Sequence, residues 1–595
     1  MGSGGLLALI SYGTQNVILN GNPKMTYFYK VFKSYSHFSI ENITVAFNSQ
    51  NDITFDTPVT IRAKIPRNGD LMSDMLFSFT LPDIYSKYVD TVTSTYKSQY
   101  EFQWVNTIGA AIINNASFCI GGQEIQRLDG TYIMSRAYLD KTSEELQGWR
   151  DLVGDTPEMT NPTASSYSGR YLYNGSLLNA YPTVKPTSPV PLTASWTSGA
   201  TALTWLSGAV PVVGYFIQGT GIPTGAIVTA VAAYTNRPTT FTINFPTTAG
   251  SAPGGTPLIE TSPQPVASRP SIAGRDIHVQ LPFWFTEATS NAVPLVGLQL
   301  HECELILTLN PISELYTILD TSGNRVNPTK TTSNGQDADN IIAGNPSYSE
   351  NIVYITNFLT DYGATPPTLT SMYINPRLQI TYVYLPKEEQ EIFATRPLSY
   401  IVPQVTPILL TDIVGRSTYD LDIHLAITRL LFTQRRSDWT SRNDFTNFTN
   451  WSTWPKAPFA FIPTAIRDTG GNGSVSSGIL VAGGQQDMIR AIRILCNGNE
   501  LQELKPVDFF TQYSQYRYTQ GIGLPGLAMY SFELEHSPVQ PSGSINASYI
   551  RKFQADIDVW PLPPNTNYLY DVTVYAENLN FLEVVSGMGG LKYAT

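Results

Sequence analysis

Residues His301-Glu302-Cys303-Glu304 bring three kinds of metal donor together, and Gly521-x-Gly523-x-x-Gly526 spells the glycine spacing of a dinucleotide-binding turn. Both patterns fail on context. The run LQLHECELILTL alternates like a strand, so His301 shares a face with Cys303 and Glu302 with Glu304. Two donors per face, with no second cluster at zinc spacing, predict a structural strand. The glycine string contains Pro525 and leads into a strand pattern at 527–534, where a nucleotide fold needs a helix, so it reads as a turn. The five histidines (His37, His278, His301, His424, His536) lie in β-patterned or loop sequence with no Ser or Cys nucleophile motif beside them. Trp439, Trp451 and Trp454 crowd one long polar loop, 438–473, and indole faces suit sugar stacking. Sequons begin at Asn42, Asn115, Asn174, Asn447, Asn450, Asn472 and Asn546, as a Thr- and Asn-rich chain produces by chance, and none is assigned as a glycan site. No catalytic residue, cofactor or metal is expected, and the chain reads as a non-enzyme.

The elements that carry these residues announce themselves through a repeat. FCIGGQEIQRL at 118–128 returns without a gap as ILCNGNELQEL at 494–504, pairing Gly122 with Gly498, Glu124 with Glu500 and Leu128 with Leu504. Each copy runs apolar into a Gly-containing pair and then alternates, which is a β-hairpin. One copy in each half predicts a duplicated β domain. At 595 residues the chain exceeds a single core. Charged residues are 14%, against roughly 25% in an average soluble protein. Tyr (34), Phe (26), Gly (44) and Pro (41) supply strand and turn formers instead. A net charge of −11 argues against direct nucleic-acid binding. Three scattered cysteines predict a reducing compartment. No run is long and apolar enough for a membrane span, and the start lacks a secretory signal, so a soluble protein made in the cytoplasm is expected.

Along the chain, Leu6, Leu7, Leu9 and Ile10 are too apolar to be left in water and are expected to dock on this subunit or a neighbour. Residues 26–31 read as an aromatic strand, 59–65 and 75–81 as strands around an RNGD turn, and 132–148 as a short helix. Between 161 and 270 the texture changes to Thr, Pro, Ala, Gly and Ser with few charges. Regularly spaced β-runs within it predict a small inserted β domain at about 189–257. Residues 310–363 read as loop and linker, and 378–385 (LQITYVYL) as the first strand of a second sandwich.

These blocks carry a resemblance. GGLLALISYGTQNVILNGNPKMTYFYKVFKSYSHFSIE at 4–41 is similar to the start of the major capsid proteins of nucleocytoplasmic large double-stranded DNA viruses, on Tyr12, Gly13, Gln15, Gly21, Asn22, Pro23, Phe28, Phe38 and Glu41. LPFWF at 281–285, VPLVGLQLHECELILTL at 293–309, the YSF…QPSGS…N block from 530 and the closing VYA…N…SGMGGL resemble the same family. Ser34 and Ser36 depart from its more usual basic or polar residues, and the insert and two long loops lie outside the likeness.

The resemblance implies an all-β protein of two consecutive eight-stranded antiparallel jelly rolls, with a small β domain inserted in a loop of the first. The expected layout is an N-terminal arm at 1–26, a first roll at 27–360 and a second at 361–595. It implies a structural major capsid protein of the virion, synthesised and assembled in the host cytoplasm. Its homotrimers would form pseudo-hexagonal capsomers tiling an icosahedral shell. Implied partners are neighbouring capsomers, minor capsid proteins and an internal membrane beneath the shell, with host-surface glycans at the exposed loops. The rival readings are a carbohydrate-binding or glycan-cleaving β-sandwich, resting on Trp439, Trp451 and Trp454, and a minor capsid protein of the same virion.

Overall fold

The computed structural model describes residues 21–593 except 31, 49–51, 86–87, 91–96, 100, 161–189, 214, 224–225, 227, 235–236, 262–269, 271, 320–324, 327–354, 360–368, 370, 438, 440–442, 451–486, 538–539 and 563–567. Two sets of eight strands carry the architecture. The first is β1 (Ser39–Ala46), β2 (Val59–Lys64), β3 (Leu71–Leu81), β4 (Ile113–Ile120), β5 (Gln123–Leu128), β6 (Arg275–Gln280), β7 (Cys303–Leu309) and β8 (Arg377–Tyr384). Helices α1 (Gly130–Asp140) and α2 (Ser143–Leu152) follow β5, and α3 (Lys387–Thr395) follows β8. The second set is β9 (Leu398–Ile413), β10 (Arg416–Asp420), β11 (Ala426–Arg436), β12 (Ile489–Cys496), β13 (Asn499–Pro506), β14 (Leu527–Ser531), β15 (Phe553–Val559) and β16 (Tyr570–Val585).

The strand orders are β1-β8-β3-β6 facing β2-β7-β4-β5, then β9-β16-β11-β14 facing β10-β15-β12-β13. Shifting the second set by eight reproduces the first, so the halves are two jelly rolls of identical connectivity. The repeated hairpin is β4–β5 in one and β12–β13 in the other. Its turns, Gly121-Gly122 (φ 59° and 83°) and Asn497-Gly498 (φ 52° and 84°), place both central residues in the left-handed region. That region favours Gly and Asn and matches the twist of a two-residue hairpin.

Every pairing within these sheets is antiparallel, so odd strands run one way and even strands the other. Connections leaving odd strands therefore share one end of each roll. They include the long ones, 82–112, 129–274, 310–376 and 437–488. The opposite end holds the hairpin turns, the 281–302 and 532–552 loops and the segment before β1. The two rolls stand in the same sense. At the long-loop end Asn443 Nδ2 donates to Ser313 O (2.7 Å) and Tyr316 O (2.8 Å). At the other end Leu300 N donates to Gly587 O (2.8 Å), beside the turn that follows β16.

The central strands of the β9-β16-β11-β14 sheet, β16 and β11, are buried on both faces. Leu430, Phe432, Val572 and Val574 face the second roll's own core. Leu431, Met529, Tyr575 and Leu582 join the core of the first roll. This is why β11 (AITRLLFTQRR) is a near-continuous buried run with no exposed face.

Several expectations change. The 378–385 segment closes the first roll: β8 pairs with β1 and β3, so the boundary between rolls falls after Tyr384 and not at 360. The described residues 26–30 form no strand; Tyr27 and Phe28 are 91% and 99% exposed. The helix expected at 132–148 is two helices, split where Thr142 and Glu145 form a capping box that starts α2. The alternating run from Leu298 becomes a strand only at Cys303; upstream, Val293–Pro294 pairs briefly with β3 before 295–297 turns as a 3-10 segment. The insert is present as a six-stranded sheet between Val190 and Thr261, with its own core of Leu192, Leu203, Ile217, Phe241 and Leu258.

Candidate functional site

The densest chemistry lies where the rolls meet. Arg429 on β11 and Glu577 on β16 are opposite one another in register, on the face turned to the first roll, and are 1% and 2% exposed. Arg429 Nε donates to Glu577 Oε2 (2.5 Å), and its two terminal nitrogens donate to both oxygens of Asp140 at the end of α1 (2.7 and 2.8 Å). Tyr132 Oη, on the same helix, donates to the remaining Glu577 oxygen (2.7 Å). Arg136 extends the network to Asp140 (3.2 Å) and Glu287 (3.3 Å). His536 adds contacts to Glu533 (2.9 Å) and Asp140 (3.6 Å).

Burial alone would raise the Asp140 and Glu577 carboxyls, but the Arg429 guanidinium holds both below their ordinary values. Burial beside Glu577 pushes the Tyr132 phenol far up, so it stays a donor. The cluster is thus charged, internally paired and locked. It fixes α1 of the first roll against the central strands of the second, which is a positioning task.

The glycine string belongs to the same junction. Gly521 N donates to Leu139 O (2.8 Å) and Gly523 N to Tyr138 O (3.0 Å), at the C-terminal end of α1. A Cβ on Gly521 would come within 2.1 Å of the Tyr138 carbonyl oxygen. Gly526, at φ 81°, packs a hypothetical Cβ 1.9 Å from Phe448 O. At Gly521 and Gly523 the spacing that imitates a nucleotide fingerprint is a seam where one roll's backbone touches the other, and at Gly526 it is a close approach within the second roll. A cleft of about 790 Å³ opens beside the seam, lined by Arg136, Trp149, Arg517, Tyr518 and His536 among others.

The other candidates are dispersed. His301 precedes β7 and its Nδ1 meets Gly589 (2.9 Å to the carbonyl oxygen), while Glu302 and Glu304 pair with Lys64 (2.6 Å) and Arg62 (3.7 Å). Among the described residues no three His, Cys, Asp or Glu side chains group as metal ligands. Burial pushes the Cys303 thiol up to about 12 and raises Cys119 and Cys496, the opposite of what a nucleophilic thiolate needs. Trp439 is half-buried with the Arg435 guanidinium 4.4 Å over its ring, so one stacking face is occupied. Trp451, Trp454, Leu6, Leu7, Leu9 and Ile10 lie outside the described residues. Asn447 and Asn450 are buried, leaving no room for a glycan at those sequons in the folded chain. Of the junction, His536 and the glycine string stand out in the sequence, whereas Arg429, Glu577, Asp140, Tyr132 and Arg136 do not. Their signal was charge inside apolar strand runs, Arg429 in AITRLLF and Glu577 in VYAENLNF.

The comparisons agree with this architecture roll by roll. The family described as "Major capsid protein N-terminus" matches residues 26–173 and 260–375, and "Large eukaryotic DNA virus major capsid protein" matches 389–590. The chain belongs to the family of major capsid proteins of large eukaryotic DNA viruses. The gap between the two matches, 376–388, takes in β8 and the start of α3, and the interruption of the first, 174–259, covers most of the insert. The chain is 22% identical to the major capsid proteins of Chrysochromulina ericina virus and Phaeocystis pouchetii virus, covering 99% and 100% of this chain and 100% of each relative. Among solved structures it superposes on PBCV-1 VP54 (TM-score 0.54, 16% identity, 96% of this chain and 100% of that one). The Faustovirus major capsid protein gives 0.53 at 13% identity, over 96% of this chain and 94% of that one. These likenesses carry the fold; residue roles rest on the geometry above.

Proposed function

We propose that three copies of this chain close into a pseudo-hexagonal capsomer, and that such capsomers tile an icosahedral shell. One observation carries the reading: two rolls of identical strand order stand side by side in the same sense. Threefold rotation of a pair of like domains presents six similar edges to neighbouring capsomers. A solved neighbour titled as the PBCV-1 virus capsid shares this fold, at TM-score 0.54 and 16% identity.

The long-loop end, with the insert and the 437–488 loop, faces outward, where host-surface glycans would be met. The end from which residues 1–38 depart faces inward, toward minor capsid proteins and an internal membrane, with Leu6, Leu7, Leu9 and Ile10 as its apolar tip. Assembly occurs in the host cytoplasm. The chain has no reaction to perform, binds no nucleic acid directly and needs no cofactor. Light scattering on the eluting purified chain tests the core of this: a stable mass of three chains is expected, and a persistent monomer would refute it.

A further inference from the structure

We propose that the aromatic arm 21–38 docks on a second copy of this chain, across the patch formed by Leu300, α3 and the turn after β16. This deepens the trimeric reading above and rests on it. The arm exposes Met25, Tyr27, Phe28, Tyr29, Phe32 and Tyr35, from 67% to 99% each. It also holds Lys24, Lys30 and Lys33 with no carboxylate, in a chain of net charge −11. Such a surface is not at rest in water.

The patch is complementary. Leu300, Ile392, Val585 and Met588 are exposed by 69%, 43%, 44% and 49%. They are neighbours: Leu300 N bonds Gly587 O (2.8 Å), and Gly297 lies between Phe393 O and Val584. Glu388, Glu389 and Glu391 on α3 supply the acidic surround for the arm's lysines, while Glu583 on β16 is held by Lys592 (2.7 Å). The patch is at the end of the rolls where the arm departs.

The chain's own arm leaves this patch bare. Ser39 pairs with Tyr384, so the arm emerges just before α3, yet its rings remain exposed. An extended stretch of this length spans up to about 60 Å, enough to reach an adjacent subunit. One arm and one patch per copy make a heterologous contact that a rotation closes with every patch covered. A lipid surface fits less well. The arm's described residues form no helix or strand to pair their backbone groups, which a protein partner can pair and a bilayer interior cannot.

Two measurements on the full-length chain decide it. A Phe28→Cys, Met588→Cys double variant, oxidised at low concentration, should run as covalent dimers and trimers on a non-reducing gel, while each single variant stays monomeric. A Tyr27→Ser, Phe28→Ser, Phe32→Ser variant should keep its circular dichroism and thermal midpoint but raise the trimer dissociation constant at least a hundredfold. Cross-linking confined within one chain, or an undiminished trimer in the triple variant, overturns the proposal while the capsomer stands. A monomeric wild-type chain overturns both.

Discussion

Arg429 has no water to fall back on. It is fully enclosed, and its donors meet Glu577 and Asp140 from two different segments of the first and second rolls. Removing it with Arg429→Ala leaves the buried Glu577 carboxylate without a cation, while Asp140 keeps Arg136 (3.2 Å), and breaking a buried pair in this way costs about 3–5 kcal/mol. Replacing Arg429 and Glu577 together by Met and Leu should cost far less, because no charge is then left alone. Urea unfolding of both variants checks the contrast; equal losses would mean that the pair contributes only volume. The pH dependence has a definite sign. Asp140 and Glu577 are held below their unfolded values, so their contribution is present above about pH 4 and disappears as acid protonates them. The junction should therefore open before the rest of the tertiary structure on acidification, visible as exposure of α1 in hydrogen exchange. Gly521→Ala tests the seam from the other side. Its methyl would collide with a backbone carbonyl and not with a movable side chain, so a loss of about 2 kcal/mol or more is expected in thermal unfolding. The Arg429–Glu577 pair escaped the sequence reading for a plain reason. A charge in an apolar strand signals a buried partner, but the partner of Arg429 lies 148 positions away.

At the scale of elements, legibility followed sequence separation. The two hairpins could be read because strand, turn and strand are contiguous and the left-handed turn demands Gly or Asn. The strand β8 was assigned to the wrong roll because its partners, β1 and β3, lie some three hundred residues upstream and alternation does not name a partner. The aromatic run at 26–31 has strand composition, but its described residues, 26–30, pair with no strand, and composition alone does not make a ladder. The insert was legible because it changes texture, and its interior offers a sharper test. Glu260 follows Leu258 by two positions, so its carboxyl points to the same face as the core, and it is 3% exposed. Its hydrogen bond comes from Val212 N (2.6 Å), and the flanking strands, VPLTAS and FIQ, bring no charge. Burial pushes this carboxyl up to about 7. A raised carboxyl favours the fold below its unfolded value and loses that advantage as pH climbs toward 7. The insert should therefore be about 2 to 3 kcal/mol less stable at pH 8 than at pH 5. Hydrogen exchange within 190–261 reads this directly, and Glu260→Gln should flatten the profile; an unchanged slope in that variant would assign the effect elsewhere.

For the whole molecule, the question is how much of the chain the rolls need. The insert shares no core residue with either roll: Leu192, Leu203, Phe241 and Leu258 form a cluster of their own. Its first and last strands pair, with Val190 opposite Glu260, so the points of entry and exit are only about 5 Å apart. A loop whose ends already touch can be cut short without stretching what it connects. It also hangs from the connection after β5, beyond α1 and α2, at the end opposite the arm. Replacing residues 189–262 by a short Gly-Ser linker should therefore leave both rolls folded, shift the midpoint of their unfolding by no more than a few degrees, and preserve the mass of three chains in light scattering. Loss of the trimer on excision would place the insert among the contacts that close the ring. Its retention would divide the molecule by task, with paired rolls and their buried charges building the shell and the outward module free to vary.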